Sequence, residues 1–194
     1  RLARLLGIAL AISPKEAFYV VCQTPNKLTQ PDPISGREMP FVASPESSVE
    51  FSDGKKVAMA ESSSILEQLR PILESEKITK IGHNLKYDIT VLKWHDIDIR
   101  GPIVDTMLAH LIHEPEMDHG LDHLARVYLE YETIKIEQLI GPKGPNQLNM
   151  ADVPIEKVGP YACEDADVTL QIAGKLMPEI DARNLSHVCY DVEF

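Results

Sequence analysis

Two aspartates, each with a partner four residues earlier, constrain this chain more than any other feature. Asp88 follows Asn84 at that spacing, and Asp165 follows Tyr161. On a helix the spacing puts both side chains of a pair on one face, so each segment aims a carboxylate and a helper group at one point. The two aspartates lie far apart in sequence. If they serve one site, the fold must bring two helices together there, as a divalent-metal site for phosphodiester chemistry requires.

The rest of the pattern says how a chain of this kind could do that. An apolar, β-compatible run from Leu5 to Ile12 ends at Ser13-Pro14, and Ala17 to Val21 follows, so the pair reads as a hairpin. Pro25, Pro31, Pro33, Pro40 and Pro45 mark Thr24 to Gly54 as an extended surface excursion with one short strand at Val49 to Phe51. Ser62-Ser63-Ser64 opens a helix toward Leu73, which Pro71 should kink or shorten.

Lys77 to Gly82 then reads as a short buried strand running into the first aspartate motif. The helix from about Leu85 carries Tyr87, Val91, Leu92 and Trp94 at helical spacing, as a core-facing stripe. A second strand-to-helix unit lies at Ile103 to Ala109, capped by Thr106 or Asp105, and a further helix spans Leu121 to Leu129. After the turn-rich Gly141 to Asn146, a long helix begins near Pro160, a residue favoured at the first helical position; Val168, Leu170, Ile172, Ala173 and Leu176 form its inward stripe. Strands first, then alternation, then helices describe an α/β layered domain.

Composition narrows the function. The 194 residues, 44% hydrophobic and 25% charged, suit one domain with a real core. No apolar run approaches the roughly 18 residues of a membrane span, and the opening segment lacks a signal-peptide layout, so no membrane partner is expected. Three scattered cysteines suggest no disulfide framework and fit a reducing cytoplasm. The net charge of −11 is the wrong sign for holding nucleic acid on a basic surface. Metal ions or a neighbouring domain would have to supply positive charge.

Clustered carboxylates ask for such ions. Two of them repel by roughly 4 kcal/mol at about 4 Å and an effective dielectric near 20. Hard oxygen ligands select Mg2+ or Mn2+ over zinc, and two ions about 4 Å apart suit phosphodiester hydrolysis. Tyr161 is a poor base, because a phenol with a pKa near 10 stays protonated at neutral pH; it can position the attacking water. Asn84 could bond a substrate phosphate or sugar, or brace the loop before its helix. His110 with His113, and His119 with His123, have zinc-like spacings but no cysteine or further ligand cluster beside them.

Four segments in order, Lys80 to Asp88, Val104 to Leu108, Asn146 to Leu148 and Tyr161 to Leu170, resemble the 3′→5′ proofreading exonuclease domain of bacterial, A-family DNA polymerase I. The resemblance covers roughly Lys77 to the end. It implies a ribonuclease-H-like fold, a mixed central sheet flanked by helices, in a bacterial cytoplasmic protein. Of a four-acid site binding two Mg2+ or Mn2+ ions, Asp88 and Asp165 match the second- and third-motif aspartates, with Tyr161 as the catalytic tyrosine. His83, Asn84 and Tyr87 fall where the family contacts the 3′-terminal nucleotides of single-stranded DNA, although the family often has glutamine in place of His83. Asp105 is read as a structural cap.

The family's first motif, an Asp-x-Glu on the strand preceding the hairpin, would lie upstream of Arg1. Tyr190 to Phe194 is similar to the junction with a polymerase domain. The expectation is a single exonuclease domain over residues 1–194, a fragment of a longer polymerase and weak or inactive alone. A ribonuclease D-like RNA exonuclease and a vestigial, non-catalytic scaffold domain are the alternatives.

Overall fold

The computed structural model describes residues 5–22, 29–31, 38–40, 48–50, 56–59 and 62–187. The expected hairpin is present: β1 (Gly7–Ser13) runs antiparallel to β2 (Glu16–Val21), with Ala9 opposite Tyr19 and an irregular register between Ala11 and Ser13. Short strands β3 (Thr29–Pro31) and β4 (Glu38–Pro40) pair with each other. β5 (Ser48–Glu50) overlaps the strand expected at Val49 to Phe51, and it pairs antiparallel with β6 (Lys56–Met59). Because β6 lies parallel to β2, the resulting sheet is mixed, in the order β1-β2-β6-β5. The remainder of the Pro-rich excursion and the junction-like Tyr190 to Phe194 lie outside the described residues.

α1 (Ser62–Leu73) continues through Pro71 to its last residue. The amide that proline lacks would have met the carbonyl of Glu67, an exposed residue, so water can take that carbonyl and the helix survives. β7 (Lys80–Gly82) starts later than the expected Lys77 and leads to α2 (Lys86–Lys93). β8 (Ile103–Asp105) pairs parallel with β7, Ile81 opposite Val104, and continues into α3 (Thr106–His113). α4 (Leu121–Leu129) has the expected bounds, whereas the short α5 (Ile136–Ile140) and a 3-10 turn at Met150–Asp152 left no periodic signal in the sequence.

Two expectations about helix faces need correction. Only Val91 and Leu92 of the α2 stripe are buried; Tyr87 is 62% exposed and Trp94, just past the helix end, 48%. A helix of eight residues has barely two turns, so one flank meets the core and the other faces water. The last helix, α6 (Ile155–Ala182), starts before Pro160 rather than at it, with the amides of Lys157 and Val158 bonded to the Pro154 carbonyl at 3.0 and 3.1 Å. Pro160 is tolerated inside because its missing amide frees the carbonyl of Glu156, which sits at an exposed position.

α6 is the spine of the molecule. Its first half packs Val158 and Cys163 against Ala17, Tyr19 and Val21 of β2. Its second half packs Val168, Ile172, Leu176 and Ile180 against Ala109, Leu124 and Ala125 of α3 and α4. Each such aliphatic side chain, taken fully from water, contributes about 1.5–3 kcal/mol. Leu73, Leu92 and Ile97 form a third cluster joining α1 to α2. α6 also packs against β7, so one helix touches both the hairpin and the strand that delivers the first motif. No described helix is long and apolar enough to cross a membrane.

Candidate active site

The first motif leaves β7 through a tight turn in which Asn84 takes a left-handed backbone, φ 61°. Asparagine tolerates that conformation better than most residues. α2 begins with no side-chain cap of its own. The acceptor comes from β8: the Asp105 carboxylate receives the amides of Asn84 at 2.9 Å and Leu85 at 2.8 Å. The same carboxylate caps α3 by accepting the amides of Met107 at 2.9 Å and Leu108 at 3.4 Å. The expected cap is therefore real, and it serves a second element as well.

Thr106 completes the hold on the loop. Its hydroxyl donates to the Gly82 carbonyl at 3.1 Å and lies 2.9 Å from His83 Nδ1. Since the single hydroxyl proton is spent on Gly82, the ring nitrogen must donate to the threonine oxygen, which fixes the tautomer with its proton on Nδ1. His83 Nε2 is sealed from solvent and faces the His119 backbone without a well-formed hydrogen bond. Burial pulls the His83 pKa below its ordinary value. Of the three residues read as substrate contacts, Tyr87 is open to solvent and Asn84 is half-buried, but the ring nitrogens of His83 are turned inward as a brace.

Asp88 lies in the first turn of α2. Although the residue as a whole is exposed, protein packed around its carboxyl raises its pKa above the ordinary value, and the charge of Asp105 adds to the effect. Tyr161 and Asp165 sit one turn apart on α6 and share a side-chain hydrogen bond. Burial, reinforced by Glu164 and Asp122, pushes the Asp165 carboxyl up to about 7 against the opposing pull of the Tyr161 bond. Burial and the Asp165 charge raise the phenol well above its ordinary value, so Tyr161 is a donor.

The acidic word Glu164-Asp165-Ala166-Asp167 separates in three dimensions. Glu164 is 3% exposed and accepts the Tyr131 hydroxyl at 2.6 Å and the Ile134 amide at 2.7 Å. Asp167 accepts the amide of Lys15 at the hairpin tip at 2.6 Å and the side-chain amide of Gln171 at 2.9 Å. Both are structural, and Asp165 alone keeps a carboxylate uncommitted to backbone. Asp122, which sequence reasoning passed over, accepts Thr133 and, at 2.6 Å, the Lys135 ammonium, holding residues 133–135 to α4.

Tyr161 and Asp165 are thus brought together, and β7 links their helix to the motif of Asp88. The donor chemistry suits a hard divalent ion, since both aspartates carry raised pKa values that a cation would offset. Among the described residues, no three His, Cys, Asp or Glu side chains converge closely enough to hold an ion together. Asp105 acts on Asp88, and Tyr161, Glu164 and Asp122 act on Asp165, but neither aspartate contributes to the shift of the other. The histidines cluster without forming such a group: His110 packs edge-on against His119 and His123, and His110 and His119 meet through their Nδ1 atoms at 2.8 Å, one donating and one accepting.

Residues 43–181 match a protein-family profile described as 3′-5′ exonuclease. DNA polymerase I of Pseudomonas aeruginosa is 41% identical over 133 residues, which are 66% of this chain and 14% of that protein. Among solved structures, Escherichia coli RNase D superposes with a TM-score of 0.56 at 21% identity, over 71% of this chain and 34% of its own. Brucella melitensis NrnC with bound Mg2+ gives 0.55 at 19% identity, over 71% and 64%. These structural likenesses establish the shared fold. The chain spans only 12–14% of the length of the first curated relatives it matches. With the profile covering most of the chain, and with DNA polymerase I of two organisms 35–41% identical to it, this chain belongs to the 3′-5′ exonuclease family of DNA polymerase I.

Proposed function

We propose that the chain is the proofreading domain of a longer DNA polymerase, removing 3′-terminal nucleotides from single-stranded DNA with the aid of Mg2+ or Mn2+. The observation that carries this is the Tyr161–Asp165 pair on α6, a phenol held protonated against a carboxylate raised to about 7. Such a pair orients a water by hydrogen bond and supplies a ligand whose ionisation a cation would favour. When bound, divalent ions would polarise the attacking water and offset charge on the leaving oxygen. Asp88 and Asp165 would hold them. Tyr161 aims the water, exposed Tyr87 offers a face for the terminal base to stack on, and Asn84 and His83 shape the loop beneath it.

Two carboxylates are too few for two ions, and further acids are part of the proposal. β1 and β7 each have one edge without a strand partner among the described residues, and both pack on α6. An acidic strand paired to either edge could complete the set. The polypeptide containing this domain is expected to release mononucleotides from the 3′ end of single-stranded DNA in Mg2+. Asp165→Ala should lower that rate at least about a thousandfold, as loss of a central catalytic group does. Full activity in Asp165→Ala would sink the assignment, and trimming of structured RNA with no action on mismatched DNA ends would move it to RNA.

A further inference from the structure

We propose that Asp105, seconded by Thr106, is a positioning residue for Asp88, setting where that carboxylate meets its ion; the inference rests on the exonuclease reading above. Two adjacent residues grip four consecutive ones. Thr106 engages Gly82 and His83, and Asp105 engages Asn84 and Leu85, all between 2.8 and 3.1 Å. Both gripping residues are buried, Asp105 at 6% and Thr106 at 0% exposure. The loop they hold contains the left-handed Asn84 and opens a helix lacking a side-chain cap, so the grip supplies an anchor that the first turn of α2 does not provide for itself.

A carboxylate at this point does more than cap α3. Capping needs one acceptor oxygen directed at Met107 and Leu108, and Oδ1 supplies it. Oδ1 also accepts the Asn84 amide, and Oδ2 is given wholly to Leu85, across the sheet from its own helix. Asp88 follows Leu85 by three residues, less than one helical turn, so a change in the loop reaches the carboxylate undamped. Groups bonded directly to a metal ligand typically matter by 10–100-fold in affinity, and Asp105, acting through the backbone, belongs at the low end of about tenfold.

Serine separates the two roles, because it caps helices well but cannot span to the loop with two oxygens. Mn2+ is titrated into the 15N-labelled chain, reading paramagnetic broadening of the 86–89 amides, hydrogen exchange at the Asn84 and Leu85 amides, and thermal unfolding. Asp105→Ser should unfold within about 3 °C of the parent, lose protection at both amides, and need about tenfold more Mn2+ for half-maximal broadening. Asp105→Asn, which keeps Oδ1 for Asn84 but turns an N–H donor on the Leu85 amide, should lose protection at Leu85 alone and recover only part of that affinity. Parent-like Mn2+ response in Asp105→Ser overturns the proposal, as does a parent-like response in Asp105→Asn when protection at Leu85 is lost. A parent chain that shows no broadening overturns the positioning proposal, whereas Asp88→Ala broadening like the parent removes Asp88 from the ligands and the exonuclease site assignment falls with it. A loss in Asp88→Ala without one in Asp105→Ser removes only the positioning role.

Discussion

A carboxyl that titrates near 7 is a stability statement as well as a chemical one. Asp165 is raised from an ordinary value of 3.8 to about 7 by burial and by Glu164 and Asp122. The folded chain therefore binds a proton more tightly than the unfolded one. That contribution is complete below about pH 4 and is lost as pH rises through about 7. The full shift would be worth several kcal/mol, but partial exposure and local relaxation leave on the order of 1 kcal/mol. In chelator at pH 8, Asp165→Asn should unfold about 3 °C higher than the parent, with the gap closing near pH 4. A lower melting temperature for the variant at pH 8 would show that the carboxylate is not strained in the metal-free fold.

Among the elements, α6 is where sequence and structure agree most usefully. Of the stripe expected at Val168, Leu170, Ile172, Ala173 and Leu176, all but the half-buried Leu170 are in the core, legible because a long amphipathic helix repeats its signal over many turns. Tyr161 and Asp165 were legible for the same reason, one turn apart on that helix. Trp94 and Tyr87 misled because α2 is too short for periodicity to say which flank faces water. The roles of Glu164, Asp122 and Thr106 were not legible at all. Their partners lie 30, 11 and 24 residues away, across contacts that no local pattern encodes. Helix contacts also say where stability resides. Leu124 and Ile172 are both 0% exposed between α4 and α6, so truncation of either to alanine should cost about 2–5 kcal/mol. Urea unfolding checks this, as a lowered midpoint with unchanged slope. Trp94→Ala, at 48% exposure, should cost under about 1 kcal/mol, and a larger loss would restore Trp94 to the core.

On the scale of the whole molecule, the charge of −11 decides how DNA can be held. A protein that neutralises phosphates with its own lysines and arginines releases counterions, and its affinity falls steeply as salt rises. An acidic domain works against the same field, so added monovalent salt screens repulsion instead of competing with attraction. The chain alone, in chelator at physiological salt, is expected to bind a single-stranded oligonucleotide more weakly than about 0.1 mM, the weak end of ordinary non-specific binding. Raising monovalent salt should leave that affinity flat or slightly improved, while Mg2+ should tighten it beyond what equal ionic strength of Na+ achieves. The two arms separate screening from site binding, because only the second would be lost with the proposed ligands Asp88 and Asp165. Fluorescence anisotropy of a labelled oligonucleotide reads both. Micromolar binding in chelator that weakens with salt would reveal a basic surface in this chain, and the domain would then hold DNA without help from metal ions or from the rest of a polymerase.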